Sequence, residues 1–238
     1  MQIVNATFGF TAIGKTSSDQ YVYNEIHGQE DAYRLRTILP YLVGRDVVEV
    51  GAHKGYFTLM AAAVALRVVA FEPDAENHAF LSANVALNML GERVTVLNQA
   101  VSAEEGDKTF SVSTVTAARH TFYASDFSGP GVQKTVACTT LEAVLRDHAI
   151  DRVGLLKMDC EGSEYDILLN TPPEVFERID AIALEIHESA GIAHTKETLI
   201  AHLERMGYVA EIYDHRTMDP GPIHLWMGWF VRPVHTAH

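Results

Sequence analysis

At 238 residues, 47% hydrophobic and 21% charged, the chain has material for a full core, and one α/β domain with an N-terminal extension is expected rather than disorder. Its formal net charge of −13, without any run of Lys or Arg, argues against a nucleic-acid partner, because like charges repel within a Debye length. Two cysteines, Cys138 and Cys160, make no disulfide framework; Cys160 reads as a small buried residue. No leader pattern and no apolar run of about 18 residues is visible, so a reducing cytoplasm without a membrane partner is the expectation.

Residues 1–25 show no readable period. A helix is expected from Gly28 to Leu42, where Leu35, Ile38, Leu39 and Leu42 recur at helical spacing. The first strand is Asp46 to Val50, then a helix from Tyr56 to Leu66 and a second strand from Arg67 to Glu72. Asp74 caps the next helix, which ends at Gly91, and a third strand spans Val94 to Asn98. The pattern then breaks. Thr109–Val115 and Gln133–Thr139 read as a hairpin, and the stretch Ala117–Gly131, with Phe122, Tyr123 and Phe127, reads as a packed loop or a lid. Thr139 and Glu142 make a capping-box pattern, followed by a fourth strand from Val153 to Asp159. Helices from Ser163 to Leu169 and from Pro172-Pro173 precede a fifth strand, Ala181 to Ile186, and a helix from Thr195 to Met206 closed by Gly207. Tyr208–Tyr213 and His224–Val231 are two last strands joined through Pro220-Gly221-Pro222. Helices between five strands imply parallel pairing, and two consecutive strands imply a terminal antiparallel hairpin. His235 and His238 fall in a ragged tail, with no function expected.

Val47-Val-Glu-Val-Gly-Ala-His-Lys-Gly55 and Arg67-Val-Val-Ala-Phe-Glu-Pro73 are the most informative stretches. Each is an apolar run ending near a carboxylate, and Gly51 and Gly55 allow a tight turn after the first. Glu72 lies about 20 residues beyond Gly51, where an acidic residue can accept hydrogen bonds from both ribose hydroxyls. A dinucleotide fingerprint needs glycines where His53 and Tyr56 stand, and no Gly-Lys-Ser/Thr phosphate loop follows. Glu49 suits a cationic amino group. S-adenosylmethionine, with a ribose diol, a sulfonium, an ammonium and no phosphate, fits better than NAD.

Ligands of open parallel sheets bind beyond the carboxyl ends of the strands. Those ends carry Glu49, Gly51 and His53; Glu72; Asn98 and Gln99; Asp159 and Glu161; Glu185 and His187. Lys157 lies in an apolar run and shares a face with Asp159 and Glu161, so it needs a partner, Asp159 or Glu185. Glu185 and His187 share a face and can hold a general base oriented by a carboxylate. Mg²⁺ on the same groups is a secondary alternative, and a metal is not the expectation. The candidate catalytic residues are therefore His187, Asp159, Glu185 and Lys157.

These residues resemble the FkbM family of S-adenosylmethionine-dependent methyltransferases. The carriers are Glu49 to Gly55, Ala70 to Pro73, Asn84, Asn88, Glu185-Ile-His187 and, as the most specific, Lys157-Met-Asp-Cys-Glu-Gly-Ser-Glu164. The resemblance implies a Rossmann-like class I methyltransferase fold, α/β, with a seven-stranded mostly parallel sheet of order 3-2-1-4-5-7-6. It also implies O-methylation of a hydroxyl on a small-molecule, natural-product or sugar acceptor. Carried onto this chain, Glu49, Gly51 and Gly55 shape the methionine end of the pocket, and Ala52, His53 and Tyr56 are expected among the cofactor-binding residues. Glu72 takes the ribose, Asn98 and Gln99 lie near adenine, and Asp159 faces the reactive centre. Residues 1–44 are expected to form an extension and helix covering the site, and residues 45–238 the cofactor-binding domain; a homodimer is compatible with the sequence. The rival readings are an S-adenosylmethionine-consuming cyclase that releases methylthioadenosine, a non-catalytic partner subunit and, least favoured, an NAD-dependent oxidoreductase.

Overall fold

The computed structural model describes residues 1–28, 33–113, 120–121, 131–188, 194–214 and 224–233. Most of the expected lid, the Pro220-Gly221-Pro222 connection, and His235 and His238 lie outside the described residues.

The chain opens with an antiparallel pair, β1 (Gln2–Asn5) and β2 (Phe10–Ile13), followed by α1 (Ser17–His27) and α2 (Leu35–Leu42). Then come β3 (Asp46–Val50), α3 (Tyr56–Val64), β4 (Arg67–Phe71), α4 (Ala75–Leu87) and β5 (Val94–Leu97). A second small sheet follows, from β6 (Ala100–Val101), β7 (Gly106–Ser113), β8 (His120–Thr121) and β9 (Gly131–Thr139). The rest is α5 (Leu141–Asp147), β10 (Val153–Met158), α6 (Glu164–Asn170), α7 (Pro173–Phe176), β11 (Ile179–Glu188), α8 (Lys196–Arg205), β12 (Val209–Asp214) and β13 (His224–Val231).

The main sheet has seven strands in the order β5-β4-β3-β10-β11-β13-β12. All neighbours are parallel except at β13, which runs antiparallel to both β11 and β12. This is the 3-2-1-4-5-7-6 order that the resemblance implies. Consecutive residues such as Val47 and Val48, or Leu155 and Leu156, are all buried, because each points into a different apolar layer. One layer holds α3 and the N-terminal elements, the other α5, α6 and α8.

Several boundaries differ from the sequence reading. The unreadable first residues form β1, β2 and α1; the expected Gly28–Leu42 helix begins only at Leu35, because Gly28 caps the end of α1 and Arg34 takes a positive φ of 44°. Thr16-x-x-Asp19 is a helix-start pattern that marked α1: Asp19 Oδ2 accepts from the Thr16 N–H at 2.7 Å. Gly91 does not end α4; the helix stops at Leu87, and Met89 takes the positive φ of 55°. The cap of α5 is Thr140, whose side chain accepts from the Ala143 N–H, rather than Thr139. The β7–β9 hairpin forms with the expected antiparallel pairing.

Asn84 and Asn88, one helical turn apart on α4, explain how the N-terminal pair is seated. Asn84 Oδ1 accepts from the Ile13 N–H (2.7 Å) while its amide donates to the Ile13 and Lys54 carbonyls (3.2 and 2.8 Å). Asn88 treats Thr11 the same way, at 2.8 and 2.6 Å. Two side chains thus imitate a neighbouring strand along the free edge of β2.

Candidate functional site

The glycine turn after β3 is forced by contact with β10. Gly51 has φ 77°, and a Cβ there would lie 1.7 Å from the Asp159 carbonyl oxygen. Gly51 and Ala52 donate to the Phe71 carbonyl, at 3.1 and 3.0 Å, which ties the turn to the end of β4. The turn then presents the His53 N–H to Glu72 Oε2 (2.7 Å), and the Asp74 N–H binds Glu72 Oε1 (2.9 Å). The carboxylate is held from two sides, and burial pushes it up to about 8. Gly55 (φ 88°) starts α3 against Leu81, which a Cβ would meet at 2.4 Å.

Glu49 is fully buried. Its Oε2 accepts from Thr58 Oγ1 (2.6 Å), its Oε1 has no hydrogen-bond partner among the described residues, and burial pushes it up to about 7. Lys157 pairs with Glu49 in register; its Nζ donates to the Gly51 carbonyl (2.9 Å) and lies 3.5 Å from Asp159 and 4.0 Å from Glu49. Of the two partners expected for this lysine the structure places Asp159 beside it, and it adds Glu49. Burial alone lowers the lysine, but Asp159, Glu49 and Glu185 outweigh that and keep it above its usual value. Tyr33 closes this corner, its hydroxyl 3.4 Å from Asp159 Oδ2 and its ring 5.6 Å below the Lys157 ammonium.

A cleft opens over these strand ends. Gly51, His53, Glu72, Gln99, Asp159 and Glu185 line it. Other expected residues stand behind the wall. Ala52 and Lys157 are buried supports. The Asn98 amide donates to the Glu72 and Pro73 carbonyls (2.9 and 3.0 Å) and pins the turn. Tyr56 turns toward the N-terminal elements, edge-on to Tyr23 at 5.9 Å. Val22 and Glu25 of α1 reach the wall and escaped the sequence reading, as did Tyr33.

His187 is buried at the end of β11. Its Nδ1 lies 3.1 Å from Glu164 Oε1, and its Nε2 lies 3.5 Å from Glu161 and 3.8 Å from Glu185. Burial lowers its affinity for a proton, but Glu164, Glu161 and Glu185 raise it well above the ordinary imidazole value. Glu185 is itself held well above the carboxylate range, chiefly by burial. One ligand atom from each of Asp159, Glu161 and His187 falls within 4.8 Å of the others. Cys160 is partly buried at the cleft wall, where burial and the neighbouring Glu164 and Asp159 push its thiol up and disfavour the thiolate.

The sequence model of the family described as Methyltransferase FkbM domain matches residues 49–210. Methyltransferase sdnD of Sordaria araneosa is 26% identical over 222 residues, covering 80% of this chain and 83% of sdnD. The AMB antimetabolite synthetase AmbE of Pseudomonas aeruginosa is 28% identical over 231 residues, which is 81% of this chain and 11% of AmbE. Among solved structures, Methyltransferase FkbM from Methylobacillus flagellatus KT superposes with a TM-score of 0.51 at 18% identity, covering 79% of this chain and 43% of that one. That likeness concerns the fold, which is the class I methyltransferase fold.

Proposed function

The chain belongs to the FkbM family of methyltransferases, and we propose that it transfers the methyl group of S-adenosylmethionine to a hydroxyl of a small natural-product or sugar acceptor. The observation that carries this reading is Glu72. Its two oxygens are held by the His53 and Asp74 N–H groups at the cleft wall, and each oxygen keeps acceptor capacity for a ribose hydroxyl. His53, in place of the second glycine of a dinucleotide fingerprint, disfavours a pyrophosphate there. Buried Glu49, with one oxygen unpartnered, and the carboxylates of Asp159 and Glu185 suit a cationic ligand.

In this reading residues 45–238 hold the cofactor and residues 1–44 cover it, consistent with Val22 and Glu25 in the cleft wall. The acceptor oxygen attacks the methyl carbon, the carbon–sulfur bond breaks toward sulfur, and the hydroxyl proton passes to a carboxylate at the cleft wall, Asp159 or Glu185, with His187 beside it. The enzyme's task is alignment and exclusion of water. The names of the relatives, a methyltransferase and an antimetabolite synthetase, support a small-molecule acceptor. A cytoplasmic setting without a nucleic-acid or membrane partner belongs to the same reading; no helix among the described residues is long and apolar enough to cross a membrane.

Calorimetric titration with S-adenosylmethionine, with NAD as control, tests it. Micromolar binding of S-adenosylmethionine alone is expected, and binding of NAD alone would overturn the reading. Product analysis separates methyl transfer, which releases S-adenosylhomocysteine, from cyclisation, which releases methylthioadenosine. His187→Ala should lower turnover while leaving cofactor affinity nearly intact; unchanged turnover would remove His187 from the chemistry.

A further inference from the structure

Transfer of a methyl group from a sulfonium needs no dense cluster of acids, yet the ends of β10 and β11 carry one. One ligand atom from each of Asp159, Glu161 and His187 lies within 4.8 Å of the others, near enough for the three side chains to converge on a single divalent ion with a small adjustment. His187 is oriented as metal-bound histidines are. Its Nδ1 meets Glu164 Oε1, which also accepts from the Cys160 N–H at 2.9 Å, so the carboxylate is fixed and the ring is oriented with Nε2 toward the other acids, where an ion would replace the Nε2 proton. The Nε2 distances of 3.5 and 3.8 Å to Glu161 and Glu185 are long for hydrogen bonds but suit groups around one ion.

A second, independent observation concerns Glu185. It is 7% exposed, lines the cleft, and makes no hydrogen bond among the described residues; His187 Nε2 lies 3.8 Å from it. A carboxylate so placed is costly unless a cation reaches it. Lys157 is not that cation, being committed to the Gly51 carbonyl and Asp159. Among the described residues Lys157 lies beside Asp159, and His187 beside Glu161, Glu164 and Glu185.

We propose that Asp159, Glu161 and His187 bind one divalent cation of the Mn²⁺ type, with Glu185 at its edge. Carboxylate oxygens suit Mg²⁺, Ca²⁺ and Mn²⁺, while an imidazole suits transition ions, and Mn²⁺ is the transition ion of the first set. Three protein ligands leave positions open on the cleft side, where acceptor oxygens can bind and a hydroxyl can be polarised. Binding of the ion is independent of the methyl-transfer reading; its role in activating a hydroxyl rests on that reading.

The test is titration of the chelator-treated full chain with Mn²⁺, following free ion by electron paramagnetic resonance and stability by thermal melting. Saturable binding to one site and a raised Tm are expected, with affinity weakened about ten-fold or more in Glu161→Gln and His187→Gln. Glu161→Gln carries the test if the buried histidine variant fails to fold. The proposal is overturned by absence of saturable binding at millimolar Mn²⁺, by binding that neither variant weakens, or by competitive displacement of the ion by S-adenosylmethionine. That last result would make the acids the seat of the cofactor's ammonium group. Loss of Mn²⁺ binding with normal S-adenosylmethionine binding would remove the metal and spare the proposed function; the reverse result would do the opposite.

Discussion

Two buried lysines, Lys54 and Lys157, flank the glycine turn, and the protein treats them oppositely. Lys54, 1% exposed, pairs with Asp19, which is fully buried and also accepts from the Lys15 and Thr16 N–H groups. Charges there match one to one and every oxygen is used. Lys157, 3% exposed, faces Asp159 and Glu49, while Glu49 keeps an unpartnered oxygen and Glu185 makes no hydrogen bond among the described residues. The first arrangement is closed and locks α1 to the turn. The second has surplus acid facing a cleft, which is what a site awaiting a cationic ligand looks like.

The largest effect that can break this comparison is expected at the closed pair. Asp19→Ala leaves Lys54 buried and alone and should cost about 3–5 kcal/mol in denaturant unfolding, whereas Asp19→Leu with Lys54→Met should recover most of it. A small loss in the single variant would mean that the pair is not closed. Gly51→Ala should follow closely, at about 2–5 kcal/mol, since it combines a positive φ with a collision against the Asp159 carbonyl. The same variant should abolish cofactor binding, and normal binding would show that the turn relaxes.

At the open region, loss of stability and loss of binding should separate. Glu72→Ala should weaken S-adenosylmethionine by about 1.5–3 kcal/mol in calorimetry, the value of hydrogen bonds to a charged group, without destabilising the cofactor-free protein by a comparable amount. Unchanged affinity would end the ribose assignment. A separate effect is pH dependence. Burial pushes Glu49 up to about 7 and Glu72 up to about 8, from 4.5. Raised folded values mean that the folded chain holds these protons more tightly. Their contribution is therefore complete below about pH 4.5 and is lost as pH rises through about 7–8. His187, also raised, acts in the same direction. Melting of the cofactor-free protein should fall between about pH 5 and pH 8, and Glu72→Gln should flatten the fall; a rising Tm would contradict the sign.

Much of the site frame was legible because it follows from short-range rules. A Val-rich run ending in glycine, then another ending near Glu72, marks β3 and β4 without knowledge of their neighbours. The N-terminal region was not legible, because its order depends on distant partners. Asn84 and Asn88 bind β2 across more than seventy positions, and Asp19 finds Lys54 across thirty-five. Glu164 stood in the sequence as one acid of a motif, and only the fold brings it behind His187. The end of α4 shows the same limit locally: Gly91 was the natural stop, but Met89 takes the positive φ.

Sequence alone determined the positions of the strands, the terminal hairpin and the strand ends at which polar groups gather, because periodicity and glycine placement are written residue by residue; the seven-strand order followed only from the family resemblance. Tertiary structure alone decided which of those groups line the cleft and which support it. It turned Asn98 and Tyr56 away, brought Val22 and Glu25 in, and set His187 between three carboxylates. The reason is physical: burial and charge neighbourhood depend on which strands lie side by side, and no spacing along the chain encodes that.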